Sequence, residues 1–556
     1  MSRPADSPGA ARLAFDGEST PVKTALFLVV CLAWLLPGLV GREPWKTDEA
    51  IAFGVVTDLL RSGDWLVPTL SGTPYLDRPP LYYWTSAILV RLFGGLLPLP
   101  DAARLATGLF VALAMAGTAA AAVALYGARA GRIGVLLLIG CLGLLLRAHE
   151  MNTAVAGLAG VALAIAGLAH ALARPRLGGA LAGLGLGIAF LADGAFPAFL
   201  IVATAAALPL ASGDHRSRAY GIAALLAIGV AAPMLLAWPL ALAAQAPDAF
   251  AAWRGTLFAT RWSAGADTRG VLADLAYFPR TLPWYAWPAL PLAAWTLWRA
   301  RRRPGPRPEL RLPAVATGLF LAATLLLAES REVNAMPLLV PLALLGIAEL
   351  DSLPRGAASA LDWFGVMTFA LFALLLWAAY AAVFTGYPTG AARWVARHVP
   401  GYRMTFDPAA FALALGLTVV WIAVVARSLR TTRRAVVNWT AGITMVWMLA
   451  MALGLPVIDQ ARSYREVSAR VKEALAGSTC TLGVGVGDAQ RALVEHYAGI
   501  RLVRPGDARA ATCDTLLAQV SAGRVVSVEE GRWREIWRGA RPGDRVEAFA
   551  VFRRQP

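Results

Sequence analysis

Long apolar runs separated by short polar segments fill the chain from residue 23 to residue 457, and the pattern changes abruptly after that. The runs lie at approximately 23–40, 102–126, 133–147, 152–173, 178–192, 195–211, 219–244, 281–298, 312–328, 335–349, 363–386, 408–426 and 437–457. Each is near the roughly 20 residues that a helix needs to cross a hydrocarbon core about 30 Å thick, so the pattern predicts about thirteen transmembrane helices. The segment 80–95 is shorter and contains Arg91. It is expected to lie in the interface, with Tyr82, Tyr83 and Trp84 at headgroup level.

Residues 458–556 are charged and read as a helix at 464–475, a strand near 479–484, a helix near 489–497, and strand-like pieces at 500–503, 514–519, 523–528 and 546–552. This mixture predicts a compact α/β domain. Its Gly483-Val484-Gly485-Val486-Gly487 has the look of a nucleotide loop but lacks the later spacing and a defined acidic partner, so a strand-to-helix turn is preferred and no nucleotide cofactor is expected. The predicted fold is an all-α polytopic membrane protein with interfacial helices in its first outer loop and a small C-terminal α/β soluble domain. Its expected divisions are a cytoplasmic segment 1–22, a transmembrane domain 23–457 with a first periplasmic loop at 41–101, and a periplasmic domain 458–556. No internal repeat is evident.

Composition agrees with a lipid environment: of 556 residues, 58% are hydrophobic and 15% charged, against the roughly 45–50% apolar content of soluble domains. The net charge of +16 raises the question of nucleic acid, but the basic residues gather in short segments between apolar runs. Arg129 and Arg132, Arg174 and Arg176, Arg216 and Arg218, the run 299–311, and the run 427–434 all fall on the cytoplasmic side if the N-terminus is cytoplasmic and 80–95 does not cross. Anionic lipid and topology therefore explain the charge, and nucleic acid is not an expected partner. The segments 41–101, 148–151, 193–194, 245–280, 329–334, 387–407 and the tail then share the outer face. Cys31 and Cys141 lie in apolar runs, whereas Cys480 and Cys513 in the tail are either a disulfide or two thiols. No cleavable signal is evident before the first span.

The first outer loop holds the most chemistry: Glu43-Pro44-Trp45-Lys46-Thr47-Asp48-Glu49, then Gly63-Asp64-Trp65-Leu66-Val67-Pro68, then Asp77-Arg78-Pro79-Pro80-Leu81-Tyr82-Tyr83-Trp84. Adjacent carboxylates just beyond a span, with an acidic-basic pair about thirty residues later, can hold a divalent cation, position a phosphate or accept a proton from a hydroxyl. The bland alternative is that Asp48 and Glu49 only start and solvate the following helix.

This loop resembles that of GT-C type membrane glycosyltransferases, in the group of protein O-mannosyltransferases and the lipid A aminoarabinose transferase ArnT. The resemblance continues through Arg104, Pro247-Asp248-Ala249-Phe250 to Arg261, Leu282-Pro283-Trp284-Tyr285, and Pro337 to Pro341, and ends at Leu455-Pro456-Val457-Ile458-Asp459 and Ser463-Tyr464-Arg465. It implies an inverting transfer from a polyprenyl-phosphate sugar to an envelope acceptor, a lipid, a glycan or a protein, at the periplasmic face of a bacterial inner membrane. Asp48 would be the principal catalytic carboxylate and Glu49 its neighbour. Asp48 would act as base toward a hydroxyl, or orient an acceptor or cation if the acceptor is an anionic phosphate. Arg78 stands where a lysine is common and would bind phosphate. Tyr82, Arg104, Glu150, Arg261, Trp284, Tyr285 and Arg331 are further substrate-binding candidates. A divalent metal would sit at Asp48 with Asp77, and the chain is expected to be a monomer.

Several positions depart from that group's pattern. Asp193 precedes Gly194 where a lysine is usual, Ser330-Arg331-Glu332-Val333-Asn334-Ala335 replaces a Lys-Arg pair and a tyrosine, and Glu150 is the nearest stand-in for an acidic residue after the third span. Two other classes therefore stay open: a lipid-linked-sugar transporter or flippase, and a catalytically silent relative that binds polyprenyl lipid. The transporter would favour internal pseudo-symmetry and broken midplane helices.

Overall fold

The computed structural model describes residues 21–257, 268–302, 305–402, 404–427, 432–521, 532–544 and 546–555. Eight helices among them are long and apolar enough to cross a membrane, and four shorter apolar ones are Pro21–Leu35, Ala130–Ile139, Ala195–Ala211 and Glu332–Ala348. The expected span 281–298 is broken: Thr268–Tyr285 and Ala289–Arg302 are separate helices, divided around Pro288, which has no N–H to continue the ladder. Length and composition thus single out eight candidate crossings among the described residues, and the other expected spans fall on short or interrupted helices. The segment expected at the interface forms Leu81–Phe93; its 13 residues rise only about 20 Å.

Helix Pro175–Asp193 shows how sequence sets the packing. A Cβ on Gly160 would come within 2.5 Å of the Ala189 nitrogen, and one on Gly185 within 2.4 Å of the Ala164 nitrogen. These glycines let Thr153–His170 and Pro175–Asp193 approach backbone to backbone. A second stripe on the same helix, Gly179 and Gly183, admits the carbonyls of Ala223 and Ala227 from Arg218–Gln245, each 2.5 Å from a built Cβ. Small residues at such spacing are what helix association in lipid requires, since apolar burial gives no net drive there. The pair fixes Asp193, at the end of one helix, beside Thr153, at the start of the other.

Ion pairs sort the loops onto two ends of the bundle. At one end Arg311 meets Asp214 at 2.6 Å, Arg307 meets Glu349 at 2.5 Å and Arg433 meets Asp351 at 2.5 Å. These join the basic segments assigned to the cytoplasm. At the other end Arg42 donates to the His149 carbonyl at 2.5 Å, Arg331 pairs with Asp48, and Asp459 accepts from the Glu43 N–H and the Trp45 indole. The first loop, the turn at 148–152, the segment 329–334 and the start of the tail therefore share one face.

A short hairpin of β1 (Thr69–Leu70) and β2 (Thr73–Pro74) lies in the first loop. The tail sheet contains β3 (Thr481–Val484), β4 (Leu502–Val503), β5 (Thr515–Ser521), β6 (Trp533–Gly539) and β7 (Glu547–Arg554), in the order β4-β3-β5-β7-β6. β3 is parallel to β4 and β5, and β7 runs antiparallel to β5 and β6. Cys480 and Cys513 are joined as a disulfide beside the starts of β3 and β5. The strand expected at 523–528 lies outside the described residues. The glycine-rich turn after β3 is filled from within: Arg491 donates to the Leu502 and Gly483 carbonyls, and the Gly487 N–H bonds Gln519.

Helix Asp48–Ser62 lies between the bundle and the tail. Ala50 joins the apolar cluster of Tyr464, Val467, Val471, Leu493 and Phe549. Gly54 abuts Ala492, where a Cβ would come to 2.6 Å. Arg501 reaches Asp58 at 3.1 Å and Lys46 reaches Glu547 at 2.5 Å.

Candidate active site

Asp48 and Glu49 open the same helix, yet the roughly 100° between successive helical residues points them into different surroundings. Glu49 is 1% exposed. Arg42 binds it bidentately at 2.5 and 2.9 Å, Arg104 donates at 2.8 Å, and the Trp45 and Met151 N–H groups donate at 3.0 and 3.3 Å. Burial alone would raise its pKa; Arg42, Arg104 and the Trp45 N–H outweigh that and hold it below the usual range. Arg104 also binds Asp101 and the Leu39 and Arg42 carbonyls. Glu49 and Arg104 thus tie the first loop to helix Leu99–Tyr126.

Asp48 instead lines a cavity of about 540 Å³. Arg331 donates to it at 2.7 Å and Arg147 stands at 3.9 Å. Arg147 also reaches Glu150 at 3.0 Å and Glu332 at 3.6 Å. Across the cavity, Arg78 donates to the Asp193 carbonyl at 2.8 Å and pairs with its carboxylate at 3.1 Å. Asp193 raises the Arg78 pKa further, so this guanidinium stays charged. The cavity lining is of two kinds: Asp48, Asp77, Arg78, Asp193, Glu329 and Arg331 are charged, whereas Phe196, Phe199, Trp253, Leu257, Leu327 and Ala328 are mainly apolar. Phe199 is also half exposed, on a helix whose Val202 and Leu210 are exposed too, so the apolar lining continues onto an exposed apolar helix face.

Of the residues expected at the site, Asp48, Asp77, Arg78 and Arg331 line this cavity, and Glu49, Tyr82, Arg104, Glu150, Trp284 and Tyr285 do not. Tyr82 is buried against helix Leu99–Tyr126, its hydroxyl 2.7 Å from Thr107 Oγ1. Its neighbour Tyr83 takes the cavity position. Tyr285 is buried over Gly143, and Trp284 faces outward. Arg261 lies outside the described residues. Tyr75, Tyr83, Asn152, Trp253 and Glu329 were not among the expected site residues, and no spacing signal marks them.

Asp48 and Asp77 both line the cavity. Among the described residues no group of three His, Cys, Asp or Glu side chains is placed to hold an ion. The carboxylate oxygens of Asp48 face Arg331 and Arg147, which already supply local positive charge.

The comparisons bear on this arrangement. ArnT from Cupriavidus metallidurans bound to undecaprenyl phosphate superimposes with a TM-score of 0.69 over 96% of this chain and 98% of that one, at 17% identity; its apo form gives 0.65. This chain has an ArnT-like GT-C fold. Among curated sequences, undecaprenyl phosphate-alpha-4-amino-4-deoxy-L-arabinose arabinosyl transferase of Pseudomonas aeruginosa strain LESB58 is 31% identical over 379 residues, 64% of each chain. Arabinosyl transferase 1 of Pseudomonas fluorescens strain Pf0-1 is 28% identical over 342 residues, 58% of this chain and 56% of the relative. The ArnT-like resemblance read from the loop motifs therefore holds in fold and in sequence. The aligned part spans less than two thirds of these relatives' lengths. No family model matches the chain.

Proposed function

We propose that this ArnT-like chain is an inverting glycosyltransferase, moving a sugar from a polyprenyl-phosphate donor to an envelope acceptor such as lipid A, a glycan or a protein. The reaction would take place at the periplasmic face of a bacterial inner membrane. One observation carries the reading: a single cavity joins four carboxylates and two arginines to apolar side chains that continue onto an exposed apolar helix face. A lipid-linked sugar phosphate needs that combination, with the prenyl chain along Phe196 and Phe199 and the phosphate near Arg78 and Arg331. The relatives named above supply the donor class, undecaprenyl phosphate carrying an amino sugar. Carboxylates such as Glu329 and Asp77 would accommodate an amine.

Asp48 is placed to take the proton of an acceptor hydroxyl as that oxygen attacks the anomeric carbon, or to orient an acceptor that is already anionic. Arg331 holds its carboxylate in one orientation. The test is transfer of labelled sugar from synthetic polyprenyl-phosphate donors by the wild type and Asp48→Asn. For a hydroxyl acceptor the variant should lose about 10²-fold or more; undiminished transfer would remove Asp48 from the reaction. Movement of lipid-linked sugar across vesicle membranes, with no transfer from any donor, would favour a transporter instead.

A further inference from the structure

The proposed transfer changes the charge of the lipid that stays in the cavity. The bond between the anomeric carbon and the phosphate oxygen breaks with its electron pair remaining on that oxygen. The acceptor oxygen bonds to the carbon, and a hydroxyl proton, where there is one, passes to Asp48. The donor is a phosphodiester with one negative charge. The polyprenyl monophosphate left behind carries about 1.5 to 2 at pH 7, since its second ionisation lies near 6. An unopposed Arg78 guanidinium would hold this product more tightly than the donor, because attraction scales with charge.

Asp193 is placed to counter that bias. Its carboxylate pairs with Arg78 at 3.1 Å while its carbonyl accepts from the same guanidinium at 2.8 Å. Thr153 donates to it at 3.3 Å, and a Cβ on Gly157 would come within 2.8 Å of its own Cβ. The closely packed helices behind it therefore leave the carboxylate little room to swing away. Asp48, Asp77, Glu329 and Arg331 are the other charged side chains lining the cavity.

We propose that Asp193 is a specificity-determining residue that keeps the phosphate subsite at Arg78 close to neutral, so that the singly charged donor is accepted and the more highly charged monophosphate product is released. The inference rests on the glycosyl-transfer reading and deepens it by assigning a selection between the two forms of the lipid. The test measures binding to the full chain in nanodiscs at pH 8, with two probes: undecaprenyl phosphate and its monomethyl ester, which stays singly charged. Asp193→Asn should tighten the monophosphate about tenfold and the methyl ester by about threefold or less, and Asp193→Ala should shift their ratio the same way. A ratio unchanged in both variants overturns the assignment, while a merely structural role would weaken both lipids alike. Arg78→Ala should weaken both probes. If it weakens neither, or the wild type binds neither, phosphate is not held at Arg78, and the transfer reading fails together with the inference.

Discussion

Around Glu49, two guanidinium groups and two backbone N–H groups converge on a carboxylate that solvent does not reach. One residue earlier, Asp48 faces the cavity with Arg331 at 2.7 Å and Arg147 at 3.9 Å. The first arrangement fills the acceptor capacity of its carboxylate and leaves none for a substrate. The second keeps an oxygen within reach of a ligand. Adjacent acidic residues in a motif can therefore divide, with one assembling the loop and the other facing the cavity.

Neutralising each carboxylate in turn should separate the two roles. Glu49→Gln leaves Arg42 and Arg104 buried without their shared counter-charge and should cost about 3 to 5 kcal/mol of stability, read as a lower thermal midpoint in detergent. Asp48→Asn should change stability by less than about 1 kcal/mol, because its ion pairs are partly exposed, yet it should abolish most transfer to a hydroxyl acceptor. If the two variants exchanged phenotypes, the division would be wrong.

Glu150 provides a smaller, pH-dependent test between the two regions. Burial and the charge of Glu49 push its pKa up to about 7, against the opposing pull of Arg147 and Arg42. The unfolded group titrates near 4.3. Between those values the folded chain holds a proton that the unfolded chain releases, so stability falls as pH rises from about 4.5 to about 7 and levels off above that. The full effect is about 3 to 4 kcal/mol. Glu150→Gln should remove the slope from a plot of thermal midpoint against pH. A slope that survives would place the titration elsewhere.

Much of the bundle is legible in the sequence because lipid demands long apolar runs, and the arginine clusters mark one end. The site is legible only where a motif is local. Asp48, Asp77 and Arg78 stand in the first loop, and all three line the cavity. Tyr82 and Tyr83 are equally aromatic, and only the rotation of helix Leu81–Phe93 decides which one faces inward. The partner of Arg78 lies 115 residues away, so Asp193 reads in the sequence as a departure rather than as half of a pair. Arg42 is unremarkable until the fold brings Glu49 against it. Strand β6 escapes notice because it is a mostly exposed edge carrying Arg534 and Arg538, charges that guard an edge against pairing and also erase the apolar alternation.

The smallest expected effect concerns how the tail holds the helix that carries Asp48. Arg501 pairs with Asp58 at 3.1 Å and with Glu495 at 3.2 Å, but its side chain is 48% exposed. Exposed pairs contribute about 0.2 to 1 kcal/mol and weaken with salt, whereas the contact of Ala50 and Ile51 with Tyr464, Val467 and Leu493 is apolar. Arg501→Ala should therefore lower stability by less than about 1 kcal/mol, with a difference from wild type that shrinks between 0.1 and 1 M salt, roughly a threefold change in screening length. Transfer should stay near the wild-type rate. A loss above about 2 kcal/mol, or protease cleavage between the spans and the tail, would mean that charge rather than apolar packing seats the tail, and the contrast between Glu49 and Asp48 would then depend on the outer domain.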